Sequence, residues 1–274
     1  MKLPITHPPL NASFAWTDAY TDEQARFLDE HGFIRFRNFL TMDEVNMIRD
    51  ELKRVEADWI AEGRELVNGI PIKYGTDGEG KKFVNRFAFT SLFSPKLHAL
   101  LKDERFEKVR LICGENFRIG EEEKDGVVVN NYLNVPGSNY TKLGWHVDAL
   151  RDVFYGRMPQ PMWNVGVYLD DSHRDKGALR LLPGTHKQGL LGLFLGKRHF
   201  MDHDDDPREV LVEADAGDLT LHDGRLWHRV ARSSLYGEPS RRRTMYIPYL
   251  DGPVEKKDEQ SGTPFYHRFS RKIR

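Results

Sequence analysis

Residues 163–169 read WNVGVYL, and this stretch decides the fold class. Its apolar residues alternate with Asn164, Gly166 and Tyr168, so one face of the segment is apolar. A period of two is typical of a β-strand that lays one face against a core. The same pattern begins at residues 127–133, which read VVVNNYL. Further strands are predicted at residues 209–213, 219–222, 226–231 and 243–249.

The first third of the chain is predicted to be helical instead. Two capping boxes, Thr21 with Gln24 and Thr41 with Glu44, are signals that open a helix. After Thr41, apolar residues recur every three to four positions, which predicts a long amphipathic helix that ends near Gly63. The rest of this part is predicted as a strand at 33–36, a polar loop at 64–82, a helix from Ser94, and a helix that carries Phe106 and ends at Gly114. Helices followed by many short strands favour a β-sandwich or jelly roll buttressed by N-terminal helices.

The composition excludes several classes of protein. The 274 residues include 41 Lys and Arg against 42 Asp and Glu, so no basic excess points to nucleic acid or to a membrane surface. No apolar run approaches the ~18 residues of a membrane span, and no apolar signal core is visible near the start. We find no repeat or long linker, and predict a single domain over residues 1–274.

The cysteine count limits the metal chemistry. The single cysteine, Cys113, cannot form an intramolecular disulfide, and a reducing, cytoplasmic location is therefore expected. One thiol also excludes every metal cluster built on several thiolates. Any metal in this protein must be held by imidazole and carboxylate groups, for which the 11 histidines provide ample material.

The simplest such motif is His-x-Asp on a strand, where residues i and i+2 share a face. About one is expected by chance in a chain of this composition, yet three occur: His146–Asp148, His173–Asp175 and His203–Asp205. His203 lies in an acidic run and His173 in a turn-like polar segment, so both are expected in solvated loops. His146 has a semi-apolar setting, which leaves a metal ligand or a hydrogen-bonded core His–Asp pair as alternatives.

A second cluster lies near the end of the chain. Residues 217–228 read GDLTLHDGRLWH, a strand–turn–strand pattern that contains His222 and His228. Residues 241–243 are all arginine and lead into an apolar strand, so at least one guanidinium is expected to point inwards. A buried arginine needs an anion from the protein or a ligand. The alternative is a surface cluster of charge.

Together these residues resemble a known family. The order of His146-x-Asp148, the segment GALRLLPGTH (177–186), Gly217-Asp218, His228 and Arg242-x-Thr244 is similar to that of the phytanoyl-CoA hydroxylase family of non-haem iron(II)- and 2-oxoglutarate-dependent oxygenases. The segment GFIRFRNFL (32–40), followed by a long amphipathic helix, also resembles the opening of that family. The resemblance covers roughly residues 20–250. It implies a double-stranded β-helix (jelly-roll or cupin-like) core over about 127–250, with a helical part over about 20–115.

The resemblance implies a metal centre. His146, Asp148 and His228 would bind Fe2+, and no catalytic residue beyond this centre is predicted. Two histidines and a carboxylate on one face of iron leave three positions open, two for 2-oxoglutarate and one for O2. Because Asp148 supplies a carboxylate, hydroxylation, or an oxidation that follows from it such as desaturation or C–heteroatom cleavage, is favoured over halogenation. His186 and His222 also match family positions, and we interpret both as structural or indirect, with His222 displaced from the metal.

The resemblance also implies a cosubstrate site. Arg242 would bind the distal carboxylate of 2-oxoglutarate through a two-pronged contact. Thr244, two residues further on the same face, would donate its hydroxyl, while Arg241 and Arg243 would face the other way. Asn131 and Asn164 are predicted as polar contacts to the cosubstrate, with ordinary sheet or core amides as the equal alternative.

The resulting function is the hydroxylation of a small-molecule substrate with release of succinate and CO2. Residues 64–90, 149–162 and 189–206 are expected to overhang the metal and contact the substrate. Two other classes stay open from the residues: a non-catalytic cupin-like binding or sensor protein, and a divalent-metal hydrolase that uses the same triad. Neither nucleic acid nor a membrane is an expected partner.

Overall fold

The fold is described by a computed structural model that covers residues 8–17, 19–138, 140–153 and 157–264. The helices are α1 (Asp22–His31), α2 (Met42–Glu62), α3 (Pro95–Leu100), α4 (Glu104–Cys113), α5 (Leu150–Val153) and α6 (Leu190–Leu195). The strands are β1 (Phe14–Ala15), β2 (Phe33–Arg37), β3 (Leu66–Val67), β4 (Ile70–Pro71), β5 (Lys73–Thr76), β6 (Lys82–Phe87), β7 (Arg118–Ile119), β8 (Val128–Tyr132), β9 (Leu143–His146), β10 (Met162–Tyr168), β11 (Leu179–Leu181), β12 (Val210–Val212), β13 (Leu219–Asp223), β14 (His228–Val230) and β15 (Arg242–Leu250).

Two sheets form the core of the fold. The major sheet has the order β1-β2-β13-β10-β15-β8-β6-β5, with β7 also paired to β15. The minor sheet has the order β12-β11-β14-β9. From β8 onwards the chain passes repeatedly between the two sheets, and neighbouring strands in this part are antiparallel. This is the strand exchange of a double-stranded β-helix, so the predicted mainly β fold with flanking helices is confirmed.

The central strand β15 separates two environments because its side chains alternate. Met245, Ile247 and Tyr249 are buried on one face in the hydrophobic core. The Tyr249 hydroxyl donates to the Phe106 carbonyl oxygen at 3.0 Å, which ties the strand to α4. The other face carries Arg242, Thr244 and Tyr246, whose side chains lie between the two sheets. The fold therefore keeps an apolar layer under its helices and a polar interior between its sheets.

The N-terminal helices begin and end where the sequence predicts. Thr41 accepts from the Glu44 backbone N–H at 3.3 Å, and Glu44 accepts from the Thr41 N–H at 2.8 Å, which completes the capping box of α2. The helix ends at Gly63, whose φ of 64° suits a glycine. Its apolar stripe, which includes Val45 and Ile48, is buried in the main core. Among the described residues, none of the helices combines the length and the hydropathy needed to cross a membrane.

The polar loop predicted at residues 64–82 is wrong. This segment forms the hairpin of β3 with β4 and most of the hairpin of β5 with β6. β6 then pairs with β8, with Arg86 opposite Asn130, so the segment extends the major sheet. Strands β3 and β4 were missed because each is only two residues long, and β5, which reads KYGT, combines lysine and glycine with a single aromatic residue. Strands β1, β7, β9 and β11 also lie outside the predicted strands, and each has four residues or fewer.

Glu51 gives a test of how the helices are held together. Its buried carboxylate accepts from the Ser94 hydroxyl at 2.8 Å and from the Arg54 guanidinium at 2.9 Å, which joins α2 to the start of α3. The hydrogen bond from Arg54 is the main cause that lowers the pKa of Glu51 to about 2. We expect Glu51→Gln to lower the free energy of unfolding by about 1–3 kcal/mol, because buried partners lose a charged acceptor.

The measurement is chemical denaturation at several pH values, with Asp50→Asn as the matched control. Asp50 is exposed and, within the part of the chain that the structure describes, pairs only with Lys53, so its replacement should change stability by less than about 0.5 kcal/mol. The Glu51 contribution should be complete above the pKa of an unfolded glutamate, about 4.3. It should be lost as the pH falls through about 2. Equal stability of the two variants at pH 7 would contradict the assignment.

Candidate metal centre and the polar interior beside it

Three predicted ligands come together where β9 and β14 meet. His146 ends β9, His228 begins β14 directly opposite it, and Asp148 lies in the turn after β9. One ligand atom from each residue lies within 4.8 Å of the other two, and the searched described residues contain no other such group. The His228 Nε2 atom is 3.5 Å from Asp148 Oδ2. This spacing allows one ion to contact all three side chains.

The backbone fixes which imidazole nitrogen faces the cluster. The Nδ1 atom of His146 lies 2.8 Å from the Gly144 carbonyl oxygen, and that of His228 lies 2.9 Å from the Leu226 carbonyl oxygen. Each Nδ1–H donates to its carbonyl, which leaves the lone pair of Nε2 for a metal ion. Burial is the main cause that lowers the pKa of His146 well below its ordinary value. His146 is therefore neutral, the form that binds metals.

Asn164 holds the carboxylate. Its amide Nδ2 donates to Asp148 Oδ2, across from β10 to the turn that follows β9. The predicted role of Asn164 was a contact to the cosubstrate, whereas the structure places its amide on the carboxylate. This contact orients Asp148, which is the part that hydrogen bonds to metal-binding carboxylates usually play.

Of the three consecutive arginines, Arg242 alone lies in the interior. It is 3 % exposed, and its guanidinium donates to the carbonyl oxygens of Gly177 and Ala231 and lies 4.5 Å above the Tyr132 ring. Its Nε has no hydrogen-bond partner, and no carboxylate of the described residues pairs with it. Burial lowers the pKa of Arg242. A buried cation without an anion is costly, so this site is suited to an anionic ligand.

The neighbouring arginines have partners of their own. Arg241 pairs with Glu238 at 2.6 Å, and Arg243 pairs with Asp170 at 2.7 Å. Thr244 shares the interior face with Arg242 and is buried, as the spacing predicted. The register of β15 with β8 therefore settles which arginine is directed inwards.

For Asn131 the geometry favours the alternative of an ordinary sheet amide over a contact to the cosubstrate. Asn131 lies opposite Arg243 in the sheet and therefore on the face away from Arg242. Its amide donates to the Val84 carbonyl oxygen at 2.9 Å and accepts from Arg241 at 3.0 Å, so both ends are already bound within the protein. The interior position belongs to the adjacent Asn130, which accepts from the Tyr140 hydroxyl at 2.8 Å. The three consecutive valines before these asparagines show no alternation of apolar and polar residues, so the sequence does not indicate which asparagine faces the interior.

The interior contains further polar atoms that lack well-aligned hydrogen bonds. These atoms are the hydroxyls of Tyr132, Tyr168 and Thr220 and both ring nitrogens of His222. Gly166 leaves this space open, because a Cβ there would lie 2.9 Å from the Tyr246 ring and 3.0 Å from the Thr220 hydroxyl. Buried polar atoms without partners are rare in proteins, and a group of them calls for an explanation such as a water, an ion or a ligand. We refer to this region between the triad and Arg242 as the polar groove.

The remaining histidines divide between structure and site. The Nε2 of His186 donates to the Asp29 carbonyl oxygen at 3.0 Å and braces the end of α1, in line with its predicted structural role. His173 pairs with exposed Asp215. His222 lies closer to the triad than expected, with its ring 4.8 Å from the ring of His228. Burial lowers the pKa of His222 to about 3, so its imidazole is neutral.

Residues 198–204, here named the clasp loop, lie along β9. The Phe200 N–H donates to the Trp145 carbonyl oxygen and the Trp145 N–H donates to the Asp202 carbonyl oxygen, both at 2.8 Å. Phe200 has a φ of 63°, which is unusual for a non-glycine residue, and its ring stacks on His146 at 4.9 Å. The loop belongs to one of the segments predicted to overhang the metal. Within the second of these segments, residues 149–162, residues 154–156 lie outside the described residues.

Comparisons with known proteins agree with this geometry. A family model described as Phytanoyl-CoA dioxygenase (PhyH) matches residues 28–232. A probable alpha-ketoglutarate-dependent hypophosphite dioxygenase from Stutzerimonas stutzeri is 25% identical over 220 residues, which cover 76% of this chain and 72% of the relative. A phytanoyl-CoA dioxygenase domain-containing protein 1 homolog from Dictyostelium discoideum is 24% identical, over 89% of this chain and 98% of its own.

A solved structure shows the same fold. EvdO2 from Micromonospora carbonacea var. aurantiaca, complexed with 2-oxoglutarate, superposes with a TM-score of 0.62 at 17% identity and covers 90% of this chain and 98% of its own. The chain belongs to the phytanoyl-CoA dioxygenase family. Family and triad together define the class, an iron- and 2-oxoglutarate-dependent dioxygenase, which confirms the predicted enzyme class. Arg242 lies beyond the matched residues, so its place in the site comes from the structure.

Gly144 tests how tightly the clasp loop is bound to β9. A Cβ at this position would lie 2.5 Å from the Phe200 carbonyl oxygen and 2.8 Å from that of Asp202. Because both are backbone atoms, we expect Gly144→Ala to displace the loop and to lower the free energy of unfolding by about 1–3 kcal/mol. Gly189→Ala is the control, since its Cβ would meet no atom within 4 Å. Denaturation and limited proteolysis of both variants give the measurement, and equal behaviour would contradict the close approach.

Proposed function

We propose that His146, Asp148 and His228 bind Fe2+, that Arg242 binds the distal carboxylate of 2-oxoglutarate, and that the enzyme hydroxylates a small molecule with release of succinate and CO2. The observation that carries the proposal is the buried Arg242 guanidinium, which has no carboxylate partner among the described residues yet shares the polar interior with the triad. A structural arginine would have an acid beside it, as Arg241 and Arg243 have.

The register of the sheet supports a dicarboxylate that lies between the triad and Arg242. On β10, Asn164 contacts Asp148, and Tyr168 lies opposite Thr244 on the Arg242 side. Four residues of strand separate these positions, or about 13 Å at ~3.3 Å per residue. The open position at Gly166 lies between them. This interval would be shared by the ligand, with one acid at the ion and the other towards the guanidinium, and by the side chains that hold its two ends.

Each residue then has a defined task. Iron, 2-oxoglutarate and O2 supply the oxidation when bound, with 2-oxoglutarate losing CO2 to become succinate and the substrate gaining oxygen. The imidazoles of His146 and His228 offer Nε2 to the ion, and Asp148 adds a carboxylate that Asn164 orients. Arg242 and Thr244 provide donors for the distal carboxylate. His146 and His228 are both buried, so bulk water would be excluded from the side of the ion that they bind.

The substrate is proposed to be a small polar molecule. The named relative from Stutzerimonas stutzeri is described as acting on hypophosphite, a small anion, which supports this class. Several basic residues in the overhanging segments are already paired within the protein, including Lys197 with Asp206 and Arg157 with Glu255. Recognition is therefore assigned to residues close to the metal, among them Phe200 above His146.

The same observations weigh against the two rival classes. A non-catalytic binding protein would not need the complete triad together with the inward arginine. A hydrolase would leave the Arg242 guanidinium without a use. We further propose that residues 1–274 form one catalytic domain, since one core cluster joins the helices to both sheets. A reducing cytoplasm is proposed as its location, because it keeps iron ferrous and suits a single buried thiol.

The first test separates the arginines. Under anaerobic conditions, Fe2+ and 2-oxoglutarate together should give a weak visible charge-transfer band, from which a dissociation constant can be titrated. Arg242→Met should weaken 2-oxoglutarate binding about 100-fold, because a charge-assisted two-pronged contact is lost. Arg241→Met, the matched control, should stay within about threefold. A reversed order of the two variants would refute the assignment of Arg242.

The second test concerns the metal. His146→Ala should abolish both the charge-transfer band and the release of succinate in air, because the ion loses a ligand. His173→Ala is the control, since this exposed histidine lies outside the triad and should leave both signals unchanged. If the wild-type protein gives neither a band nor succinate, the oxygenase proposal fails.

A further inference from the structure

His222 is a buried imidazole that the fold itself does not use. Its side chain lies on β13 and is 1 % exposed. Neither ring nitrogen has a hydrogen-bond partner among the described residues. A buried polar group left unsatisfied costs about 1–3 kcal/mol. A phenylalanine would fill the same space at no such cost, so the imidazole indicates that a ligand supplies the missing partner.

The position of His222 identifies which end of the polar groove it serves. It lies opposite Asn164 in the sheet, and Asn164 contacts Asp148. Its ring lies 4.8 Å from that of His228 and 6.4 Å from that of Tyr246. Two strand residues away on the same face is Thr220, which lies towards the middle of the groove. His222 is therefore at the metal end, whereas Arg242 is at the opposite end.

The chemistry of the ring limits the ligand. The neutral imidazole carries one N–H donor and one acceptor nitrogen. Asn164 already donates to Asp148, and no described carboxylate or carbonyl accepts from His222. A 2-oxo acid bound to the ion presents a carboxylate at this end of the groove. A hydrogen bond from a neutral donor to a carboxylate is charge-assisted and stronger than an ordinary one.

We propose that His222 is a positioning residue that donates a hydrogen bond to the carboxylate of 2-oxoglutarate nearest the metal. The inference rests on the proposed function and adds to it a residue for the end of the cosubstrate that Arg242 does not reach. The two ends of one ligand are then held separately, the metal-side carboxylate by the ion and His222, and the distal carboxylate by Arg242.

The test combines two variants with two ligands. Met and Gln have similar lengths, and only Gln offers an N–H donor, so His222→Met and His222→Gln form a matched pair. Dissociation constants are measured by calorimetry on the Ni2+-loaded protein, for 2-oxoglutarate and for pyruvate, which lacks the distal carboxylate. His222→Met should weaken both ligands by about 10- to 100-fold. His222→Gln should recover a large part of this loss, and Arg242→Met should weaken 2-oxoglutarate alone.

The affinity for Ni2+ itself, measured without a 2-oxo acid, separates the proposal from an indirect effect on His228. Metal affinity should stay within about threefold in both His222 variants. The proposal is overturned if His222→Met binds both acids like the wild type, if it loses 2-oxoglutarate but not pyruvate, or if metal affinity falls as much as acid affinity. Should His222→Met fail to fold, His222→Phe replaces it in the same comparison with Gln. Failure of the loaded wild type to bind 2-oxoglutarate would instead refute the proposed function.

Discussion

The alternation of side chains along β15 is the constraint on which the rest of the structure depends. This strand is paired with β10 on one side and β8 on the other. The face on which each residue of β15 lies therefore determines the face on which its partners in β10 and β8 lie. The side chains of Met245 and Ile247 lie in the apolar layer beneath the helices. Those of Arg242 and Thr244, on the other face, lie in the polar groove. A shift of one residue would exchange the two faces. The burial of the apolar face therefore holds the arginine in the interior.

That interior is maintained at a cost that the rest of the fold must offset. The guanidinium of Arg242 lies among backbone carbonyls rather than acids, and Gly177 makes this possible because it has a φ of 76°. A Cβ on Gly177 would lie 2.2 Å from the Ala231 carbonyl oxygen, so the two carbonyls could not both approach the guanidinium. The carbonyl dipoles partly stabilise the buried positive charge but do not neutralise it. The charge stays available to an anion, which a carboxylate neighbour would have prevented.

Much of this arrangement could be predicted from the sequence, and the failures have physical causes. The capping boxes and the two-residue period of 163–169 are local signals, and the structure follows both. The inward arginine was also predictable, because three in a row cannot all face water on a strand with one buried face. The face on which Asn131 lies could not be predicted, because its strand begins with three valines and shows no alternation. Only the pairing with β15 determines that face. The sequence predicted His222 to lie away from the metal. Its nearness to His228 arises from the packing of two sheets, which no local sequence pattern indicates.

The clasp loop has a consequence for how such an enzyme diversifies. Loops that contact substrates usually tolerate insertions and deletions because they are joined to the scaffold only at their ends. Here residues 200 and 202 hydrogen bond in the middle of the loop to Trp145, the neighbour of His146. A change of loop length would therefore move a residue of the metal centre. New specificities at this position must arise through replacement of side chains such as Phe200 on a backbone of fixed length, while longer inserts are confined to other segments.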